Sequence, residues 1–303
     1  MLKVVGGTVR DCCYRNGSGG GKTRIVITGG LVDGLVVSNF NEIGWSYQRP
    51  VNIAGGVLRN FVIERTRGAD YNMIVEGGVV SNGVIRNWAG GIRDRQDSVQ
   101  HGGIKISGGL VTHCVLTNLG DTVTARDGTV RISGGTLRNC LVAGNKATDC
   151  AGINLSAGNL ENCTVVVNDG DCPHLTGQGT YGSCLNMTGG FATNCVFYTA
   201  EAASDGRNYC RVTGGKLGNC WLSVKGADST PAGSAILVGD NPGFKSVGGW
   251  DYIPAGSPLA GGGIFQPWME GAIDLSGNPR VIGKRPDIGC FECLGGALMI
   301  LIR

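Results

Sequence analysis

Charged residues that could do chemistry gather in two stretches of the chain. Arg93, Asp94, Arg95, Asp97 and His101 form the first, and Asp121, Arg126 and Asp127 the second. Asp149, Asp169, Asp171 and His174 follow at later offsets. A guanidine can take the proton beside a sugar acid's carboxylate while calcium or a base neutralises that carboxylate. Two carboxyl groups flanking a glycosidic bond can instead protonate it and attack or activate water. The plainer reading is a solvated ledge in which opposite charges balance. No cofactor is expected, and calcium is the one ion such a set could take.

What positions these residues is a repeat. Nine small-residue pairs begin at Gly6, Gly29, Gly55, Gly77, Gly108, Gly134, Ala157, Gly189 and Gly214. Each ends a strand-like run and precedes a short apolar stretch, at spacings of about 22 to 32 residues, the range of solenoids and arrays. Apolar and polar residues alternate on both sides of the pair, as in strands with one buried face. Ile104 and Ile106, Val130 and Ile132, Ile153 and Leu155 are expected to point inward, and Lys105, Arg131 and Asn154 outward. No sustained helical period competes. The pattern predicts an all-β fold, a right-handed parallel β-helix of about nine to ten turns, on the order of 45 Å long at roughly 4.8 Å per turn. A β-sandwich would need hairpin turns at two-residue loops. Extra length falls in one connection per unit, for example 88–103, 119–129, 170–183 and 198–209, so the charged stretches share one side of the coil.

Two columns are expected to run along it. The fourth residue after the pair is Asn60, Asn82, Asn139, Asn162, Asn194 and Asn219, with Asp11, Gly34 and His113 as exceptions. Stacked amides at a bend can bond to one another and to the backbone. His113 therefore reads as structural. The next residue is Cys12, Cys114, Cys140, Cys163, Cys195 and Cys220, and Leu35 and Phe61 in the same column mark it as interior. Thirteen cysteines ordinarily suggest an oxidised framework. Neighbours in a parallel stack, however, sit about a strand spacing apart, beyond the ~3.8 Å between Cβ atoms of a relaxed bridge. Buried thiols are the expected state. Cys150 and Cys172, at similar offsets in adjacent connections, are a candidate disulfide, and Cys290 with Cys293 form a lone Cys-x-x-Cys.

Other features carry less. The run 16–23 ends in Gly21, Lys22 and Thr23 like a phosphate loop. It lacks the first glycine, and a strand follows where phosphate would need a helix N-terminus. A net charge of +3, scattered and without an aromatic platform, does not indicate nucleic acid. Trp45, Tyr47 and Trp88 lie near long connections and could stack on sugar rings. Trp250, Tyr252 and Trp268 fall near the C-terminus, and half or more of all six are expected to pack on the coil. No stretch is long enough to span a membrane as a helix.

The repeat joins residues 1–238 into one body, leaving 239–303 as end turns and a cap. The chain opens on a repeat strand rather than on a signal-peptide pattern, and is expected to be a fragment or to lie downstream of further turns or a partner. An uncapped first turn would expose a pairing edge, so upstream turns or like subunits are expected there. Beyond the repeats stand Asp274, Gly277 and Arg280, then Arg285, Pro286, Asp287, Ile288, Gly289, Phe291 and Glu292. This Asp-x-x-Gly-x-x-Arg run and Pro-Asp-Ile-Gly-x-Phe-Glu close resemble the C-terminal segment of bacterial surface β-helix proteins of the choice-of-anchor Q domain type, in the pectin-lyase-like superfamily. The resemblance covers about fifty residues and implies secretion and display on a bacterial surface, with no particular reaction. The tail from Cys293 to Arg303 is too short to cross a bilayer and is expected to cover the end of the core. Three functions follow: an extracellular adhesin or stalk presenting loops to glycans or proteins, a lyase or hydrolase on an acidic polysaccharide, and an end-to-end assembly module. The loops do not carry the Asn-x-Asp, Asp-Asp, Gly-His-Gly and Arg-x-Lys series of polygalacturonase-like enzymes.

Overall fold

A computed structural model describes residues 1–15, 25–39, 51–68, 71–87, 89–90, 103–119, 129–145, 147, 150–167, 184–199, 210–223, 233–234, 236–239, 241–247, 250–254 and 256–294. Within them the chain is a parallel β-solenoid whose rungs stack in register. The first ladder links Leu2, Ile25, Val51, Met73, Ile104, Val130, Ile153, Leu185 and Cys210, each opposite the next. After the glycine corner a second ladder links Val9, Val32, Leu58, Val80, Val111, Leu137, Leu160, Ala192, Leu217 and Gly233. A third links Cys13, Val36, Val62, Val84, Val115, Leu141, Thr164, Val196, Trp221 and Leu237. Rungs are described more fully than whole turns. The closing connections 16–24, 40–50, 91–102, 120–128, 168–183, 200–209 and 224–232 lie outside the described residues, and the structure supports about six turns where nine to ten were expected.

The alternation explains the core. Ile27, Ile53, Val75, Ile106, Ile132, Leu155 and Met187 are fully buried on the first ladder, each burial worth roughly 1.5–3 kcal/mol. Their neighbours Lys105 and Arg131 stay at least partly in water. At the first glycine of the pair the reason is steric. A Cβ built on Gly29, Gly55 or Gly77 would sit 2.5–2.6 Å from the carbonyl oxygen of the residue before the pair in the preceding rung.

Beyond Leu237–Gly239 no further described strand joins the ladders. Lys245–Val247 and Trp250–Ile253 form a small antiparallel hairpin. It is held to the third ladder by edge-on contacts of Phe244 with Tyr198 and Tyr252, at centroid distances of 5.9 and 5.5 Å. Residues 256–294 carry little regular structure beyond one 3-10 turn, Pro267–Met269. They differ from the expected end turns by lying along the side of the coil. Ile253, Cys290 and Phe291 pack on Leu141, Ala143 and Val166, and Leu259 and Ile288 pack on Val196 and Trp221. The outward column of the third ladder is apolar there because it is an interface. No described helix is long and apolar enough to cross a membrane.

Candidate functional site

The charged residues singled out first, Arg93, Asp94, Arg95, Asp97, His101, Asp121, Arg126 and Asp127, lie outside the described residues, as do Asp149, Asp169, Asp171 and His174. So do Trp45, Tyr47, Trp88, Cys172 and the glycine-rich run 16–23. What the structure places is where these connections leave the coil. Asn39, Arg65, Asn87, Asn118 and Gly144 follow the third strand of successive rungs, all with φ between 51° and 62°. In that left-handed region asparagine and glycine are favoured. Asn118 Nδ2 donates to Asn87 Oδ1 at 3.4 Å. Asn145 Oδ1 accepts from the Leu119 N–H at 2.9 Å, while its Nδ2 donates to the Leu116 carbonyl at 3.3 Å. The long connections thus spring from one stacked corner. A sequence signal for it exists, an asparagine three residues after the start of the third strand at Asn39, Asn87 and Asn118, weaker than the column upstream.

That stronger column is the other corner. Asp11, Asn60, Asn82, His113, Asn139, Asn162, Asn194 and Asn219 all have φ between 47° and 54°. Their side chains bond only partly to one another: Asn194 Nδ2 reaches Asn162 Oδ1 at 3.2 Å and Asn139 Nδ2 lies 3.4 Å from His113 Nε2, while Asn60 Nδ2 reaches Asp33 Oδ1, outside the column, at 2.7 Å. From His113 onward they mainly receive the C-terminal segment. Asn219 Nδ2 donates to Gly262 O at 3.1 Å, and Asn194 holds Ile264 from both sides, Nδ2 to its carbonyl at 2.8 Å and Oδ1 from its N–H at 2.9 Å. Asn162 Nδ2 reaches Asp287 O at 3.3 Å and Asn139 Nδ2 reaches Ile273 O at 3.1 Å. His113 Nε2 lies 2.9 Å from the same Ile273 carbonyl, which makes it a docking residue.

The segment is locked by Asp274, Arg280, Asp287 and Glu292. Asp274 accepts from the backbone N–H of Ser276 and Asn278 at 2.9 and 2.8 Å, closing the turn around Gly277. Its other oxygen accepts from the Glu292 N–H at 2.7 Å. Arg280 and Glu292 have fully buried side chains joined at 2.5 Å. Arg280 also donates to Asn139 Oδ1 at 3.2 Å and Asp287 O at 2.8 Å, tying the pair to the solenoid. Asp287 receives the N–H groups of Gly261 and Cys293, both at 2.6 Å. Burial pushes the Glu292 carboxyl up to about 8 against the opposing pull of Arg280, and burial also raises Asp287. Two carboxyls with raised pKa values beside an arginine suggest acid-base chemistry. Here neither member of the ion pair has any exposed side-chain surface, so no substrate reaches them. The cluster is a clamp.

Two further features complete the surface. Trp268 lies under the Arg138 guanidinium, 4.3 Å from its ring centroid. It therefore packs on the coil, as Tyr252 does. An open groove of about 340 Å³, lined by Phe265, Met269, Ile273, Pro279 and Val281, runs beside it, with Phe265 and Ile273 exposed. Cys114, Cys140, Cys163, Cys195 and Cys220 form the interior column as free, fully buried thiols. The Cys114 N–H meets Cys140 Sγ at 3.4 Å and the Cys163 N–H meets Cys195 Sγ at 3.5 Å. Burial raises Cys140 and Cys195 well above the ordinary thiol range and Cys290 to about 12, which leaves them without nucleophilic character. Cys150 is buried as well.

Comparison of the chain with protein-family models, with curated proteins and with solved structures returns no match.

Proposed function

We propose that this chain is an extracellular β-solenoid of a bacterial surface, a non-enzymatic stalk or adhesin that presents its long connections to glycans or to proteins of another cell. The observation that carries the reading is the constancy of the rungs against the variability of one connection. Strands from Leu2 to Gly239 keep one register, while the roots at Asn39, Arg65, Asn87, Asn118 and Gly144 share one left-handed corner conformation. A loop of any length can be set on such a root without disturbing the core, which suits a surface selected for recognition. Secretion and surface display are supported by the resemblance of residues 274–292 to the choice-of-anchor Q segment. Their role as a clamp gives that motif a purpose independent of catalysis. No cofactor is needed in this reading.

A glycan-array screen paired with reducing-sugar and unsaturated-uronate assays on acidic polysaccharides tests it. Saturable binding without turnover is the expected result. Release of reducing ends or unsaturated uronates would make the loop carboxylates and arginines an active site and overturn the proposal.

A further inference from the structure

The C-terminal segment fills only part of the groove in which it lies. Two columns bound that groove: the corner asparagines and the outward position of the third ladder. The outward column runs in register from Val36 through Val62, Val84 and Val115 to Leu141, and on to Trp221. Between Leu141 and Trp221 it is buried beneath Ile253, Leu259, Ile288 and Phe291, and Val115 is partly covered at the edge of that contact. Val84, Val62 and Val36 carry the same apolar column onward, partly in water. A contiguous apolar run left in water marks an interaction surface.

The corner changes at the same place. Asn139, Asn162, Asn194 and Asn219 are buried, and each donates its amide to a carbonyl of the segment. His113 meets the carbonyl of Ile273, which borders the open stretch and lines the apolar groove beside Phe265. One rung further, Asn82 is exposed at φ 52°, and its side-chain amide has no hydrogen bond among the described residues. Asn60, one rung beyond, is tied to Asp33. The charges that flank the stretch cancel in pairs, Arg59 with Asp33 at 2.8 Å and Arg86 with Glu64 at 2.7 Å.

We infer that the open stretch, Asn82 with Val84 and Val62, is a docking site for an extended, uncharged polypeptide segment of a partner protein. The covered stretch sets the occupant's chemistry, because the two are one continuous surface. A backbone carbonyl and N–H engage the Asn82 amide as those of Ile264 engage Asn194. Aliphatic or aromatic side chains lie on Val84 and Val62 as Phe291 lies by Leu141 and Ile288 by Val196. Main-chain hydrogen bonds hold such a peptide and the side-chain contacts select it. A glycan's hydroxyls find no partner on the valines, and the paired charges leave an acidic or basic peptide without a counter-ion. This inference does not depend on the display function.

The test uses the full chain and a fluorescent peptide copying residues 259–267, the stretch that Asn219 and Asn194 hold at Gly262 and Ile264. Fluorescence anisotropy should show saturable binding to the wild type. Asn82→Gly keeps the left-handed bend and removes the amide, while Val84→Lys puts a charge in the apolar column. Each should leave the melting temperature unchanged and weaken binding about tenfold or more. Asn194→Gly, in the covered stretch, should not weaken it. Absence of binding, wild-type affinity in both Asn82→Gly and Val84→Lys, or a loss confined to Asn194→Gly overturns the inference. Two further results would overturn the choice of a partner protein. Binding seen only after deletion of residues 295–303 would make the chain's own C-terminus the occupant. Wild-type dimerisation in sedimentation velocity that Val84→Lys abolishes would make the occupant a second copy.

Discussion

Raising the pH should lower the stability of the folded chain relative to the unfolded one, and the size of the effect follows from Glu292. Its carboxyl is held at about 8 in the folded protein by burial, against an ordinary value of 4.5. Below that ordinary value the group is protonated whether the chain is folded or not. Between the two values the folded protein holds a proton that the unfolded chain has lost, so stability falls as pH rises, and the loss is complete above the folded value. An interval of roughly 3.5 units at about 1.4 kcal/mol per unit sets a ceiling of roughly 5 kcal/mol. That is large against the ~5–15 kcal/mol of an ordinary domain. Asp287, also raised by burial, adds a slope of the same sign. Urea unfolding followed by tryptophan fluorescence at pH 5 to 9, in reductant, measures it. The wild type should be most stable near pH 5. Glu292→Gln keeps the volume and cannot titrate, so its dependence should be shallower. Equal slopes in the two proteins, or a wild type that gains stability across this window, would refute the reasoning.

Two more outcomes follow from the corners and the core. Asn194→Ala removes both hydrogen bonds to Ile264 and puts a side chain ill suited to φ 54° at the bend, for a cost of about 1–3 kcal/mol. Asn194→Gly should recover the backbone part but not the docking, so limited proteolysis should still release the C-terminal segment faster than from the wild type. In native protein, a thiol reagent should modify exposed Cys13 within minutes and leave Cys140, Cys163 and Cys195 unreacted until urea is added, read by mass spectrometry of the labelled peptides.

The coil was legible because its rules are local and repeated. Alternation around each glycine pair gave the inward faces, and Leu35 and Phe61 in the cysteine column told that it was interior. Even the one gap in that column has its complement, since the Phe61 ring fills the space beside Gly83. The asparagine column was visible while its main partners were not. Nothing near Asn194 announces Ile264 seventy residues on, and an amide that stacks looks like an amide that receives a distant backbone. The left-handed φ shared by the column is a second cause for asparagine that gives the same letters. The C-terminal motif was visible as a pattern, but the roles of its members depend on Arg280 lying against Asn139, a contact across the fold. The charged connections are a different case. Their composition says what they could do, and the described residues give the corner they leave from.

Rungs far apart in sequence are neighbours at a constant rise. Spin labels attached by cysteine-independent chemistry at the outward positions Lys3, Lys105 and Arg211, all on one ladder, test it by double electron–electron resonance. Lys105 and Arg211 are four pairings apart through Arg131, Asn154 and Asn186. Lys3 is four further, through Val26, Asn52 and Ile74. At ~4.8 Å per rung the backbone separations should be about 19 Å for Lys105–Arg211 and about 38 Å for Lys3–Arg211. A ratio near two supports the stacked coil; comparable distances for the two pairs, or a broad distribution for the nearer one, would contradict it.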